Sequence, residues 1–306
     1  MNTLRPEVNV VMLAYNQEKF ISKAIESVLA QRTKFKFNLI IGEDCSTDNT
    51  HVICEKYAYQ FPDVIHLMDN SSNLGLIRNY KRCFEKCEGD FIAILEGDDY
   101  WIDPLKLQIQ YDEFKKEENI GLVHTSYKIL KDSSTKYEKV SHKVVKRSIE
   151  CQGENLYSEI IKKNFVCAVT TMFRRNVVEE IDFDYFISQG CKTIDYILWL
   201  HISLKFNIKY IERETAVYRV LNESISNNKD LNKIREFAET KVQIAHYYLC
   251  RYPIEAFTID DYNSYIKFYL ILKSIKCVEI KALLKHLYKI KFNEIYKGYM
   301  IWKQYF

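Results

Sequence analysis

Phe91-Ile92-Ala93-Ile94-Leu95-Glu96-Gly97-Asp98-Asp99-Tyr100-Trp101 runs from five consecutive apolar residues straight into three carboxylates. An apolar block this short, with no polar alternation, predicts a strand buried on both faces. Ligands of open α/β sheets gather at the carboxyl ends of such strands. Three acids within four residues repel one another unless a cation lies among them. Carboxylate oxygens are hard ligands suited to Mg2+ or Mn2+. Two adjacent aspartates leave coordination positions for water and phosphate oxygens, as a metal that holds a diphosphate requires. Helix capping accounts poorly for the acids, because Asp103 just before Pro104 already supplies a cap.

The flanking segments fit the same picture. Val10–Leu13, Phe37–Ile41 and Val64–Met68 read as strands, and Asn16 stands where it could cap the helix that follows the first. Phe20, Ile21, Ala24, Ile25, Val28 and Leu29 repeat along one helical face. Ser46-Thr47-Asp48 can cap a helix through Val52, Ile53, Tyr57 and Ala58, and another helix is expected near Leu76–Cys87. Strands separated by helices predict parallel pairing with right-handed crossovers, in a sheet covered on both faces. The strand ends then carry Tyr15 and Asn16, Glu43 and Asp44, Asn73, and finally Glu96, Asp98 and Asp99. Further on, Leu130–Glu150 is polar and lysine-rich and reads as a connection or surface hairpin. Ala168–Phe173 and Ile208–Ile211 read as short strands, Ile194–Leu204 as a helix, and Leu231 onward as helical.

Composition narrows the class. With 306 residues, 47% hydrophobic and 28% charged, the chain is of globular type. The eight glycines form neither GxGxxG nor GxxxxGK[ST], so a bound nucleotide must be held by side chains and metal. No CxxC pair exists among nine scattered cysteines, which are expected to be reduced. The absence of a long apolar run and of a signal-like start predicts a cytoplasmic protein. A net charge of +3 gives no reason to expect nucleic acid as a partner. The segment from Tyr262 to Phe306 is nonetheless basic and aromatic. Tyr265, Phe268, Tyr269, Leu272, Ile275, Leu283, Leu284 and Leu287 are expected to line packed helices there. Peripheral contact with an anionic membrane surface is the sharper alternative.

Taken together, Val10–Asn16, Ile41–Thr50, Asn73-Leu74-Gly75 with Arg78-Asn79, and Leu95–Trp101 resemble a family 2 glycosyltransferase. Asp195-Tyr196-Ile197-Leu198-Trp199-Leu200 and Tyr218-Arg219-Val220 extend the resemblance to about residue 226. It implies a GT-A fold: an α/β, Rossmann-like, mainly parallel sheet sandwiched by helices, followed here by a C-terminal helical extension. Residues 1–227 would be the catalytic domain, with a nucleotide-binding half to about 120 and an acceptor-binding half from 121. Residues 228–306 would be the helical region.

By the same resemblance, Ala14, Tyr15 and Asn16 frame the nucleotide, Asp44 contacts base or ribose, and Arg78 lies nearby. Glu96, Gly97 and Asp98 belong to the acidic motif that binds ribose and metal, Asp98 and Asp99 being metal ligands and Asp99 the more direct. Asp195 is the catalytic base. The implied donor is a nucleotide sugar, commonly UDP-linked, with Mn2+ or Mg2+. The implied acceptor is a glycan or lipid-linked glycan of a bacterial surface polysaccharide. Three positions depart from the family pattern. Glu96 stands for the usual aspartate, Ile194 for a glutamate, and Leu221 for a histidine that often ligates the metal. The last leaves room for a non-catalytic relative that binds nucleotide or glycan.

Overall fold

The computed structural model describes residues 5–68, 71–132, 134–151, 156–221, 230–255, 257–276 and 292–305. The chain opens with β1 (Val8–Ala14), α1 (Ile21–Leu29), β2 (Phe37–Glu43), α2 (Thr50–Gln60), β3 (Ile65–Met68), α3 (Leu76–Glu85) and β4 (Phe91–Ile94). The pairings β3-β2-β1-β4 are all parallel. Every residue of β1 is buried, because β2 and β4 flank it and helices cover both of its faces. Val10 and Met12 face one core with Ile21, Ala24 and Ile25 of α1. Val11 and Leu13 face the other with Ile77, Tyr80 and Phe84 of α3. The alternation of the strand thus assigns its neighbours to two layers.

β5 (Tyr100–Trp101), α4 (Lys106–Lys116), β6 (Ile120–Lys131), β7 (Tyr137–Lys139), α5 (His142–Glu150) and α6 (Leu156–Lys162) follow. Then come β8 (Met172–Arg174), α7 (Phe183–Ser188), α8 (Asp195–Ser203) and β9 (Asn207–Val220). The sheet continues β4-β8-β6-β9-β5, with β7 beside β6. This half is mixed: β8 is antiparallel to β4 and β6, whereas β6 and β9 are parallel. Parallel pairing therefore rules the first half, and β8 marks the change.

Three local expectations are corrected. Ala168–Thr170 is a 3-10 turn rather than strand, and extended backbone begins at Met172. The strand expected at Ile208–Ile211 spans Asn207–Val220. The polar residues Glu212, Arg213 and Glu214 hid its length, and the pairing with β6 shifts register beside Thr125 and Ser126. Leu130–Glu150 holds a hairpin and a helix, α5, capped by Ser141, whose hydroxyl accepts from the Val144 amide.

The C-terminal part comprises α9 (Leu231–Arg251), α10 (Ile259–Lys276) and α11 (Phe292–Tyr305). Tyr248, Tyr262 and Ile266 are buried in the same core as Trp199 of α8. Tyr265 and Leu270 pack against that core, and Phe268 lies 5.8 Å from Tyr299 and 6.0 Å from Trp302. A Cβ on Gly298 would sit 2.3 Å from the Ser264 carbonyl oxygen, so glycine lets α10 and α11 touch. Leu283, Leu284 and Leu287 lie outside the described residues, as does the side chain of Ile275. Among the described residues no helix is long and apolar enough to cross a membrane.

His124 on β6 is buried between the rings of Phe165 and Tyr210, and its Nε2 has no hydrogen-bond partner among the described residues. Burial pushes this imidazole down to about 3 from its ordinary 6.5. The unfolded chain therefore takes up a proton that the folded chain refuses. Stability is full above pH 6.5 and falls as pH drops toward 3. Replacing His124 with Phe should reduce the stability difference between pH 7 and pH 5, measured by urea unfolding, by about 2 kcal/mol.

Candidate functional site

The acidic segment leaves β4 pressed against β1. The Leu95 amide donates to Val11 at 3.1 Å and the Gly97 amide to Leu13 at 3.0 Å, so the pairing outlasts the strand. A Cβ at Gly97 would lie 2.3 Å from Gln17 Oε1 and 3.1 Å from the Leu13 carbonyl oxygen. A larger residue there would have to displace the Gln17 side chain and crowd the β1 backbone. The chain then turns, with the Asp99 amide donating to the Glu96 carbonyl at 3.0 Å. Tyr100 and Trp101 pair with Val217 and Ala216 of β9. Asp99 is buried, and its Oδ1 accepts the Arg219 amide at 2.6 Å. Arg219 Nη1 donates to the Asp98 carbonyl at 2.5 Å, and the guanidinium lies 4.7 Å from the Tyr100 ring and 4.9 Å from Phe20.

Three carboxyls at this spot are electrostatically costly. Burial pushes Glu96 up to about 8; a hydrogen bond from the Tyr80 hydroxyl opposes the shift, and the charges of Asp98 and Asp195 add to it. Burial raises Asp98, with its own backbone amide and Arg219 pulling the other way. Burial and then the Asp98 charge hold Asp99 well above the usual carboxylate range. A divalent cation would relieve this repulsion, and the donor set is all oxygen, so the residues suit Mg2+ or Mn2+. Among the described residues no group of three His, Cys, Asp or Glu side chains is placed to hold a metal ion by itself, so these acids would hold one only together with oxygens of a bound ligand.

Asp195 opens α8, where its carboxylate is held by neighbours. Asn164 Nδ2 donates to its Oδ2 at 3.0 Å, and the Thr193 hydroxyl and the Tyr196 amide donate to Oδ1, the latter at 2.7 Å. Asn164 is fixed in turn by accepting the Val166 amide at 3.0 Å. Asp195 adds its charge at Glu96 and Tyr80, and both Asp99 and Asp195 add theirs at the half-buried Cys167 thiol. Residues almost a hundred positions apart thus share one electrostatic neighbourhood with the acids after β4.

The loops after β1 and β2 form the adjoining wall. The Asp44 amide donates to the Ala14 carbonyl at 2.9 Å, one residue beyond the Leu13 carbonyl that holds Gly97. Tyr15 is 47% exposed beside it. Asn16 has a φ of 52° and does not cap α1; Phe20 precedes that helix, without a side-chain cap. Instead Asn16 Oδ1 accepts the Thr47 amide at 2.8 Å and its own amide donates to the Ser46 hydroxyl at 2.9 Å, clasping the two loops. The buried Glu43 carboxylate accepts the Cys45 and Ser46 amides and contacts His51 Nδ1 at 3.1 Å. Asp44 accepts the Leu74 amide at 2.8 Å and the Gly75 amide at 2.9 Å, where Gly75, at φ 79°, begins α3. Arg78 sits on the exposed side of α3. Among the described residues it has no hydrogen bond or ion pair to the other candidates.

Arg219, Tyr80, Asn164 and Thr193 share the site although the motif reading singled out none of them. Arg219 had a signal, its place in the Tyr218-Arg219 pair. Tyr80 shares the apolar face of α3 with Ile77, Cys83 and Phe84, and only the contact with Glu96 distinguishes it. Trp101 and Trp199 are buried, their indole nitrogens donating to the Val169 and Val166 carbonyls, so both pack and brace the loop that carries Asn164.

The family model described as "Glycosyl transferase family 2" matches residues 9–182, and the chain belongs to that family. A Mycobacterium tuberculosis protein named only as uncharacterized is 26% identical over 234 residues. That match covers 76% of this chain and 64% of the relative, so the chain spans less than two thirds of that relative's length. The Escherichia coli protein WfgD, named a UDP-Glc:alpha-D-GlcNAc-diphosphoundecaprenol beta-1,3-glucosyltransferase, is 29% identical over 72% of this chain and 80% of its own. Residues 1–349 of Staphylococcus aureus TarS, solved with UDP-GlcNAc, superpose with a TM-score of 0.60 at 17% identity, over 98% of this chain and 80% of that one. The fold is thus the GT-A fold.

Both Asp44 oxygens hold the backbone that opens α3, so replacing Asp44 with Ala orphans two amides. In ligand-free urea unfolding this should cost about 1–3 kcal/mol.

Proposed function

We propose that this chain is a glycosyltransferase acting in bacterial polysaccharide biosynthesis. It moves a sugar from a UDP-linked donor to a glycan or lipid-linked glycan acceptor by an inverting single displacement. The observation that carries this reading is that Asp195 and the acids after β4 act on the same groups: its charge reaches Glu96 with that of Asp98, and Cys167 with that of Asp99. The name of WfgD, with its UDP-glucose donor and diphosphate-linked acceptor, supports the substrate classes. Residues 1–227 form the catalytic unit, split near 120 into donor and acceptor halves, and 228–306 form its helical companion.

Ala14, Tyr15 and Asn16 frame the nucleotide, with Asp44 at the base or ribose and Arg78 at the rim. Glu96, Gly97 and Asp98 line the ribose and diphosphate. Asp98 and Asp99 would hold Mn2+ or Mg2+, which supplies neutralisation of the charge that develops on the departing diphosphate. Asp195 accepts the proton of the acceptor hydroxyl as that oxygen bonds to the anomeric carbon. Asn164 and Thr193 keep the carboxylate aimed, and the fold's further contribution is to hold the two substrates in line. One base completes an inverting displacement, and no covalent sugar–enzyme bond is needed.

The protein works at the cytoplasmic face of the membrane. α11 exposes Tyr296, Tyr299, Met300 and Trp302, and Lys297 and Lys303 lie on the same helix. Such a surface suits the interfacial region of an anionic bilayer. Replacing Tyr299 and Trp302 with Ser should reduce flotation with anionic liposomes, while equal flotation of variant and parent would count against membrane docking.

Two variants test the catalytic reading. Asp99→Ala should lose Mn2+-dependent UDP binding in calorimetric titration. Asp195→Asn should bind UDP as the parent does while transfer falls about 10²–10⁴-fold. Transfer at the parental rate in Asp195→Asn would remove the assigned base, and UDP binding without transfer in the parent, across a panel of donors, would favour a non-catalytic binding protein.

A further inference from the structure

Residues 164–171 run between the two halves of the site, and side chains from both halves hold them. At one end Asn164 Nδ2 donates to Asp195 Oδ2 at 3.0 Å. The Trp199 indole, on the helix that Asp195 starts, donates to the Val166 carbonyl at 3.2 Å. At the other end three successive carbonyls are met by three side chains that follow the acids in the chain. The Trp101 indole, two residues beyond Asp99, donates to Val169 at 2.9 Å. Gln110 Nε2 donates to Thr170 at 2.9 Å, and Lys106 Nζ lies 3.5 Å from the Thr171 oxygen. The segment is a bridge, with Asp195 at one end and the chain leaving Asp98-Asp99 at the other.

Lys106 is a costly residue for its place. It opens α4 and is fully buried. Burial disfavours an ammonium, and so does the positive end of a helix dipole. Among the described residues no carboxylate pairs with it. Asp103, the acid whose charge reaches it, is engaged by Arg213 at 2.5 Å. An unbranched apolar side chain would avoid these costs. It would not supply the N–H groups, which the amine keeps in either protonation state. Lys106 Nζ donates to Gln110 Oε1 at 2.6 Å and sits 4.4 Å from the centre of the Trp101 ring. With its oxygen occupied in this way, the Gln110 amide turns its nitrogen to the Val123 carbonyl, at 2.8 Å, and to Thr170. Lys106 thus bears on all three far-end contacts: on Thr171 directly, on Thr170 through Gln110, and on Val169 through the Trp101 ring.

We propose that Lys106 is a positioning residue for sugar transfer: from inside the core it fixes the 164–171 bridge, and through it the placement of Asp195 relative to the metal-binding aspartates. The inference rests on the functional reading of those aspartates and that base, but the hold of Lys106 on the bridge can be read without it. Misplacing a reacting group by about 1 Å can cost about 10²-fold in rate. A bridge loosened at one end therefore slows transfer and leaves donor binding in place.

Lys106→Met in the full chain removes the N–H groups and leaves an unbranched side chain of nearly the same length. UDP release from UDP-glucose and from UDP-GlcNAc, with Mn2+ present, gives kcat and the donor KM. Calorimetric titration with UDP and Mn2+ gives donor binding, and thermal unfolding confirms the fold. In the variant kcat should fall roughly 10–100-fold, with KM and UDP affinity unchanged. The bridge itself is read at Cys167, which lies within it and is half-buried. Alkylation of the native protein, located by peptide mass spectrometry, should be several-fold faster at Cys167 in the variant and unchanged at the buried Cys54. Should Lys106→Met fail to fold, Gln110→Met, which removes the amide that Lys106 orients, carries the same expectations. Unchanged kcat in a folded variant overturns the proposal, whatever happens at Cys167. A fall in kcat with Cys167 labelled at the parental rate also overturns it, because Lys106 would then act by another route. So does UDP binding lost in step with kcat, the mark of a general loss of structure. If the functional reading is wrong, Asp195→Asn releases UDP at the parental rate while the faster labelling in Lys106→Met persists, so the two failures are told apart.

Discussion

The contact between the Asp99 carboxylate and the Arg219 amide, at 2.6 Å, joins the end of the first half of the chain to the last strand of the second. A buried carboxylate needs hydrogen-bond donors, and those near it come largely from the far end of the sheet. β9 must therefore run its full length beside β6 and reach Tyr100 before the acids acquire their surroundings. The guanidinium of Arg219, resting on Phe20 and Tyr100, closes the same junction from the α1 side. Site and sheet are two aspects of one folding requirement.

The first half of the sheet was readable because its information is local. Short apolar runs followed by amphipathic helices, with polar residues at each strand end, produce the parallel order β3-β2-β1-β4 with few alternatives. The second half depends on contacts distant in sequence. β8 has three residues and owes its extended state to β4 and β6 on either side, so its own residues carry little pattern. β9 carries charged residues in mid-strand, and periodicity truncates it there. Nearest-neighbour patterns cannot report a pairing that only the assembled sheet enforces.

The site divides along the same line. Glu96, Asp98, Asp99 and Asp44 stand at strand ends that the sequence reveals. Asp195 was legible through the helix it starts. Their supports were not. Tyr80 looks like any core aromatic on α3, and Asn164 lies in a turn with no motif. Asn16 was legible as a polar strand-end residue, but its left-handed backbone suits a loop clasp and not a helix cap. Glu43 reads only as a polar strand-end residue, whereas its carboxylate gathers the amides of its own loop.

The same Glu43 loop gives the protein a built-in chemical handle. Cys45 has its φ at 60° and is exposed in the loop after β2, while burial raises the thiols of Cys54 and Cys83 to about 12. Thiolate is the reactive form and burial suppresses it in those interior side chains, whereas Cys45 is open to an alkylating reagent by its exposure. Among the described residues only Cys250, on α9, is comparably open. With Cys250 silenced, a dye on Cys45 would report on changes around the clasped loops after β1 and β2.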